Sequence, residues 1–105
     1  MLECSVIILN WNGEAMLRRY LPSVIQYTQL EGVVIVVADN GSTDASLEFL
    51  HSHPVRIIEL GENLGFAEGY NRAIEQVESK YVVLLNSDVE VTSNWLDTLL
   101  NYARA

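Results

Sequence analysis

Four short apolar runs alternate along this chain with stretches in which apolar residues recur every three or four positions. The runs are Ser5–Leu9, Val33–Ala38, Val55–Leu60 and Tyr81–Leu85. Each is rich in Val, Ile or Leu, and such near-continuous apolarity suits strands buried on both faces of a parallel sheet. After the first run, Leu17, Tyr20, Leu21, Val24 and Ile25 follow i, i+3, i+4, i+7, i+8 spacing and form one helical stripe. Pro22 lacks the N–H that an interior position uses, so this helix is expected to bend or restart there. A second helix is predicted from about Thr43 to His51, capped by Ser42 or Thr43 and stopped before Pro54. A third should span roughly Phe66 to Val77, with Phe66, Tyr70, Ala73, Ile74 and Val77 inward. A fourth starts near Ser93 and carries Trp95, Leu96, Leu99, Leu100 and Tyr102. The order β-α-β-α-β-α-β-α predicts an α/β fold, a doubly wound and mostly parallel sheet with helices on both faces.

Composition sharpens this picture at three points. The 105 residues form one domain, 1–105, at the small end of the usual range, and an apolar fraction of 50% can fill its core. Formal net charge is −8, from 14 acidic and 6 basic residues, which argues against nucleic-acid binding and offers no polybasic segment to anionic lipid. An anionic ligand would therefore have to be met by backbone N–H groups, helix N-termini or a bound cation. Cys4 is the single cysteine, so an intrachain disulfide and a cysteine-rich zinc site are both excluded. No apolar run approaches the ~20 residues of a membrane span. The start, Met1-Leu2-Glu3-Cys4, is acidic and leads into a strand pattern, so the expected compartment is the cytoplasm.

The chemistry should lie along one edge. In an open parallel sheet the strand C-termini share an edge, and ligands bind in the crevice beside it. The second run ends in Asp39-Asn40-Gly41-Ser42-Thr43-Asp44 and the fourth in Asn86-Ser87-Asp88-Val89-Glu90. Asp39 and Asn40 can accept hydrogen bonds from a base or a ribose, while Ser42 to Asp44 lead into a helix start whose free N–H groups attract anions. The same residues would equally build a capped turn. Magnesium and manganese prefer hard oxygen ligands and often take only one or two carboxylates, a diphosphate completing the shell. Asp88 suits that task, with Asn86 and Glu90 as supports, although both acids could also decorate a turn. A third cluster, Gly61 to Asn71, has closely spaced glycines without the G-x-G-x-x-G or P-loop signature. Asn63 and Asn71 in it could serve to tie loop backbone together. Trp11 follows the first strand and could stack on a base or simply pack. His51 and His53 fall at the far end of the second helix and are expected to face solvent.

Four segments in order carry a resemblance. They are Val6-Ile7-Ile8-Leu9-Asn10-Trp11-Asn12, Asp39-Asn40-Gly41-Ser42-Thr43-Asp44, Asn63-Leu64-Gly65-Phe66-Ala67 with Gly69 and Asn71, and Leu84-Leu85-Asn86-Ser87-Asp88. Together they resemble family-2 glycosyltransferases of the GT-A fold, especially bacterial rhamnosyltransferase-like members. The resemblance implies transfer of a hexosyl or rhamnosyl group, with inversion, from a UDP- or dTDP-sugar to a hydroxyl of a saccharide or lipid-linked acceptor. It implies a nucleotide pocket of Asn10, Trp11, Asp39, Asn40, Ser42, Asn63, Gly65 and Asn86. Asp88 matches the final acid of the family's D-x-D motif and would hold Mn2+ or Mg2+, with Glu90 as a second candidate ligand. The sequence departs from the commonest pattern twice, at Asn86 and Asn40, where an aspartate is usual.

In that family the general base and the acceptor site lie C-terminal to the D-x-D region. The expectation is therefore a donor-binding half, inactive alone, of a cytoplasmic enzyme that sits peripherally at the inner membrane face. A sheet cut after its fourth strand should leave a bare flank, and self-association is expected there. The alternative is a non-catalytic α/β nucleotide-binding or interaction module, either receiver-like or an inactive remnant. A receiver would want an acidic pair after the first strand, where this chain has Asn10-Trp11-Asn12.

Overall fold

A computed structural model describes residues 2–104. Four strands and four helices alternate: β1 (Leu2–Asn10), α1 (Glu14–Tyr27), β2 (Val33–Asp39), α2 (Ser46–His51), β3 (Arg56–Glu59), α3 (Phe66–Glu75), β4 (Ser79–Leu85) and α4 (Trp95–Arg104). The strands form one parallel sheet in the order β3-β2-β1-β4. The expected α/β architecture is present, and the order turns back at β1. Asn10 pairs in register with Asp39, Asp39 with Glu59, and Ile8 with Leu85, so every strand ends at the same edge.

Residues alternate between two cores because side chains alternate across a strand. Cys4, Val6, Ile8, Ile35 and Val37 face α1, α2 and α4, whose Leu17, Leu21, Val24, Leu50, Leu96 and Leu100 complete the larger core. Ile7, Val36, Ala38 and Ile58 face the smaller core under α3, with Tyr70 and Ala73. Helices thus cover both faces, three on one and one on the other.

Several local expectations shift. Helix α1 runs unbroken through Pro22, which is exposed on its outer face, and does not restart there. Helix α2 begins at Ser46 rather than Thr43, because Thr43 and Asp44 give their N–H groups to the side chain of Asn12. Asp44, in turn, accepts from the backbone N–H and hydroxyl of Ser46. Phe66 and Ile74 are exposed, not inward. His53 is half-buried against Phe49, with Nδ1 2.8 Å from the Phe49 carbonyl. Strand β4 is apolar from Tyr81 to Leu85, yet Val82 and Leu84 on its α3-side face are 37% and 49% exposed, since α3 lies over β1 and β2.

Candidate functional site

The shared C-terminal edge carries both acidic segments. The ends of β2 and β4 stand on either side of β1, so two strand spacings, roughly 10 Å, separate them. Asp39 closes β2 and Asp88 lies three residues beyond β4. The side chains differ sharply in access.

Asp39 is 2% exposed and points to the α1 side, as its register partner Asn10 does. One carboxylate oxygen accepts from Asn10 Nδ2 at 3.0 Å and from the Ser42 hydroxyl at 2.6 Å; the other accepts the Ser42 N–H at 2.9 Å. Ser42 Oγ also accepts from Asn10 Nδ2 and, at 2.9 Å, from the N–H of Asn12. A hydroxyl has one proton and two lone pairs, so every site on Ser42 Oγ is occupied by protein. Asn10 is equally enclosed, and its amide oxygen finds no partner because it lies under Gly13, where a Cβ would approach to 2.5 Å.

The next residue points the other way. Asn40, 3% exposed, donates from Nδ2 to Asn63 Oδ1 and the Gly65 carbonyl, and accepts the Leu64 N–H at 3.0 Å. Asn63 Oδ1 also accepts the Gly65 N–H. Asn40 and Asn63 therefore fasten the loop before α3 to the end of β2. Trp11 stands at this edge with 54% of its surface exposed.

On the α3 side a cavity of about 330 Å³ opens above β1 and β4. Leu9, Met16, Phe66 and Tyr70 form its apolar wall, and Asn86, Ser87 and Asp88 its polar rim. Phe66 is 68% exposed, and its ring meets Tyr70 edge-on at 4.9 Å. Tyr70 donates its hydroxyl to the Leu85 carbonyl at 3.1 Å, which joins α3 to the strand end just before Asn86. Burial raises the Tyr70 phenol above its ordinary value, only partly offset by a backbone hydrogen bond at Leu9.

The structure thus sorts the expected residues into two sets. Asn86 and Asp88 line the cavity; Asn10, Asp39, Asn40, Ser42, Asn63 and Gly65 belong to the hydrogen-bonded frame beside it. Trp11 is exposed on the frame, and Glu90 is exposed outside the cavity lining. Leu9, Met16 and Ser87 were not anticipated, nor was the outward turn of Phe66. Among the described residues no three His, Cys, Asp or Glu side chains cluster as a ready-made metal cage. A lone exposed carboxylate beside open space instead suits a hard cation that shares its shell with a diphosphate. By that donor chemistry Asp88 fits such a cation.

Comparison with known proteins agrees with the fold. The chain is 33% identical over 102 residues to the glycosyltransferase GlyA of Streptococcus pneumoniae, covering 92% of this chain and 14% of that one. It is 30% identical over 111 residues to the N-acetylglucosaminyl-diphospho-decaprenol L-rhamnosyltransferase of Mycobacterium tuberculosis, covering 93% of this chain and 36% of that one. The structure of S. aureus TarS in complex with UDP-GlcNAc superposes with a TM-score of 0.86 at 23% identity, over 98% of this chain and 31% of that one. At that identity the likeness establishes the GT-A fold. The chain spans about a third or less of the length of these proteins. Residues 5–105 match the family model described as glycosyl transferase family 2, and the chain belongs to that family.

Proposed function

We propose that this chain is the donor-binding part of an inverting glycosyltransferase acting on a nucleoside-diphosphate sugar. The single observation carrying this reading is the cavity at the strand C-termini, apolar on one wall and bearing Asp88 on its rim. Support also comes from the relatives, one of them by name an L-rhamnosyltransferase. UDP and dTDP sugars of hexosyl or rhamnosyl type are the proposed donors. The proposed acceptor is a hydroxyl on a saccharide or lipid-linked glycan, at the cytoplasmic side of the membrane.

In the transfer the acceptor oxygen bonds to the anomeric carbon from the face opposite the leaving group. The bond from that carbon to the diphosphate oxygen breaks, and the hydroxyl proton passes to a general base. We assign that base to sequence C-terminal to this chain. Asp88, with Glu90 as an outer support, would hold Mn2+ or Mg2+ beside the diphosphate. Bound there, a divalent cation supplies Lewis-acid neutralisation of the charge that builds on the leaving group. Trp11 and Asn86 offer contacts to the nucleotide, while Asn10, Asp39, Asn40, Ser42, Asn63 and Gly65 set the shape of its pocket. The bare face of β4 is the proposed flank for self-association.

Calorimetry with UDP and dTDP, with and without Mn2+, tests the reading. One nucleotide should bind in a metal-dependent manner, and Asp88→Ala should weaken that binding at least tenfold. Equal affinity with and without Mn2+, unchanged in Asp88→Ala, removes the metal role; no binding of either nucleotide removes the donor role.

A further inference from the structure

Beyond the residues so far placed in the pocket, the structure assigns a positioning role to Asn12: its side chain clasps the loop after β1 to the loop after β2 and so fixes the direction of Trp11. The inference rests on the donor-binding reading for its purpose, but not for its geometry.

Trp11 is a large apolar ring left 54% exposed, and both of its chain neighbours are held by hydrogen bonds. On one side Asn10 is 1% exposed, bonded through Nδ2 to Asp39 and Ser42, and its carbonyl accepts the Asn40 N–H at 2.7 Å. On the other side Asn12 sits at φ 49, in the left-handed region that Asn tolerates better than most residues. That conformation turns its N–H onto Ser42 Oγ and its amide oxygen onto the N–H groups of Thr43, at 2.7 Å, and Asp44, at 3.3 Å. Asp44 returns the contact, accepting the Glu14 N–H at 3.2 Å. Five hydrogen bonds, one of them from the Thr43 hydroxyl at 3.4 Å, therefore join residues 12–14 to residues 42–44, all within three residues of Trp11.

These bonds are exposed at the surface, so their contribution to global stability is small. Their effect is local. A flexible loop carrying Trp11 would have to surrender that freedom when a ligand stacks on the indole, whereas a clasped loop has already surrendered it. The ring is preorganised for a planar partner such as a nucleobase.

The test uses the full 105-residue chain labelled with 5-fluorotryptophan, with the Trp11 and Trp95 fluorine signals assigned through Trp11→Phe. Asn12→Gly keeps the backbone conformation accessible while deleting the clasp. The Trp11 signal should narrow and move toward the free-residue position, while that of Trp95, half-buried and bonded to Thr28 Oγ1, stays in place and reports an intact fold. Asn12→Asp retains an acceptor oxygen and a tolerance for positive φ, and should restore the Trp11 signal. UDP affinity of Asn12→Gly should fall roughly three- to tenfold, the scale of ordering one loop side chain on binding. An unchanged Trp11 signal in Asn12→Gly overturns the clasp. An altered Trp11 signal with unchanged UDP affinity overturns its role in binding. Because the fluorine signals are read without ligand, a wild-type chain that ignores both UDP and dTDP sinks the donor reading while the clasp is still decided.

Discussion

Asp39 has both carboxylate oxygens engaged by three donors, two of which belong to Ser42. Removing an acceptor from buried donors costs more than the average hydrogen bond contributes. Asp39→Ala should therefore lower unfolding free energy by about 2–3 kcal/mol in urea titrations; a loss within error of zero would contradict the frame described above. Asp44 behaves differently, being exposed. Desolvation, the largest single influence, works against its charged form, but the hydrogen bonds from Ser46 and Glu14 together outweigh it and hold the carboxyl below its ordinary value of 3.8. A carboxyl depressed on folding contributes stability above its unfolded value and loses it as pH falls through the folded one. The stability difference between wild type and Asp44→Asn should hold near neutrality and shrink on acidification below about pH 4. Gly41 illustrates backbone rather than charge. It adopts φ +82, and a Cβ there would lie 2.7 Å from Glu62 Cα. Gly41→Ala should destabilise by roughly 1–3 kcal/mol, since both the conformation and the contact resist it.

Helix α1 accommodates Pro22 in its interior, where the ring displaces one hydrogen bond and crowds the carbonyl four residues back. Pro22 is exposed, so replacing it disturbs no core. Pro22→Ala should raise the thermal midpoint, with a gain on the order of 1–3 kcal/mol; a fall would mean that the helix depends on a bend. Strand β4 poses the opposite problem, because it is an edge strand with Val82 and Leu84 bare on one face. Sedimentation should show association that grows with concentration and is reduced by Leu84→Lys. The sequence pattern could not reveal this exposure. Val82-Val83-Leu84-Leu85 reads as buried on both faces, yet burial of a strand depends on which neighbour covers it. The start of α2 was obscured similarly: Ser42 and Thr43 look like caps, but long-range partners on Asn10 and Asn12 claim them first.

Across the whole molecule, the strands were legible because runs of Val, Ile and Leu bounded by polar turns admit few other readings. Their shared edge followed from topology, and with it the location of Asp39 and Asp88. Which polar side chains reach solvent did not follow. Asp39 and Asn40 are adjacent in sequence yet face opposite sides of the sheet, each absorbed by a different loop. Met16 gave no signal at all, since its place in the cavity depends on where the first turn of α1 sits above β1. Phe66 matched the helical stripe through its spacing to Tyr70, but as the first residue of α3 it overhangs the sheet edge.

Helix α3 itself rests on a close approach at Gly69, where a Cβ would fall 2.9 Å from Leu9 Cδ1 and 3.1 Å from Asn40 Nδ2. A methyl group at that point would displace the Leu9 side chain, which lines the cavity, and press on the Asn40 amide that holds the loop before α3, so the cavity would be reshaped from below. The aperture offered to a ligand is thus calibrated by the thickness of a residue that never touches it.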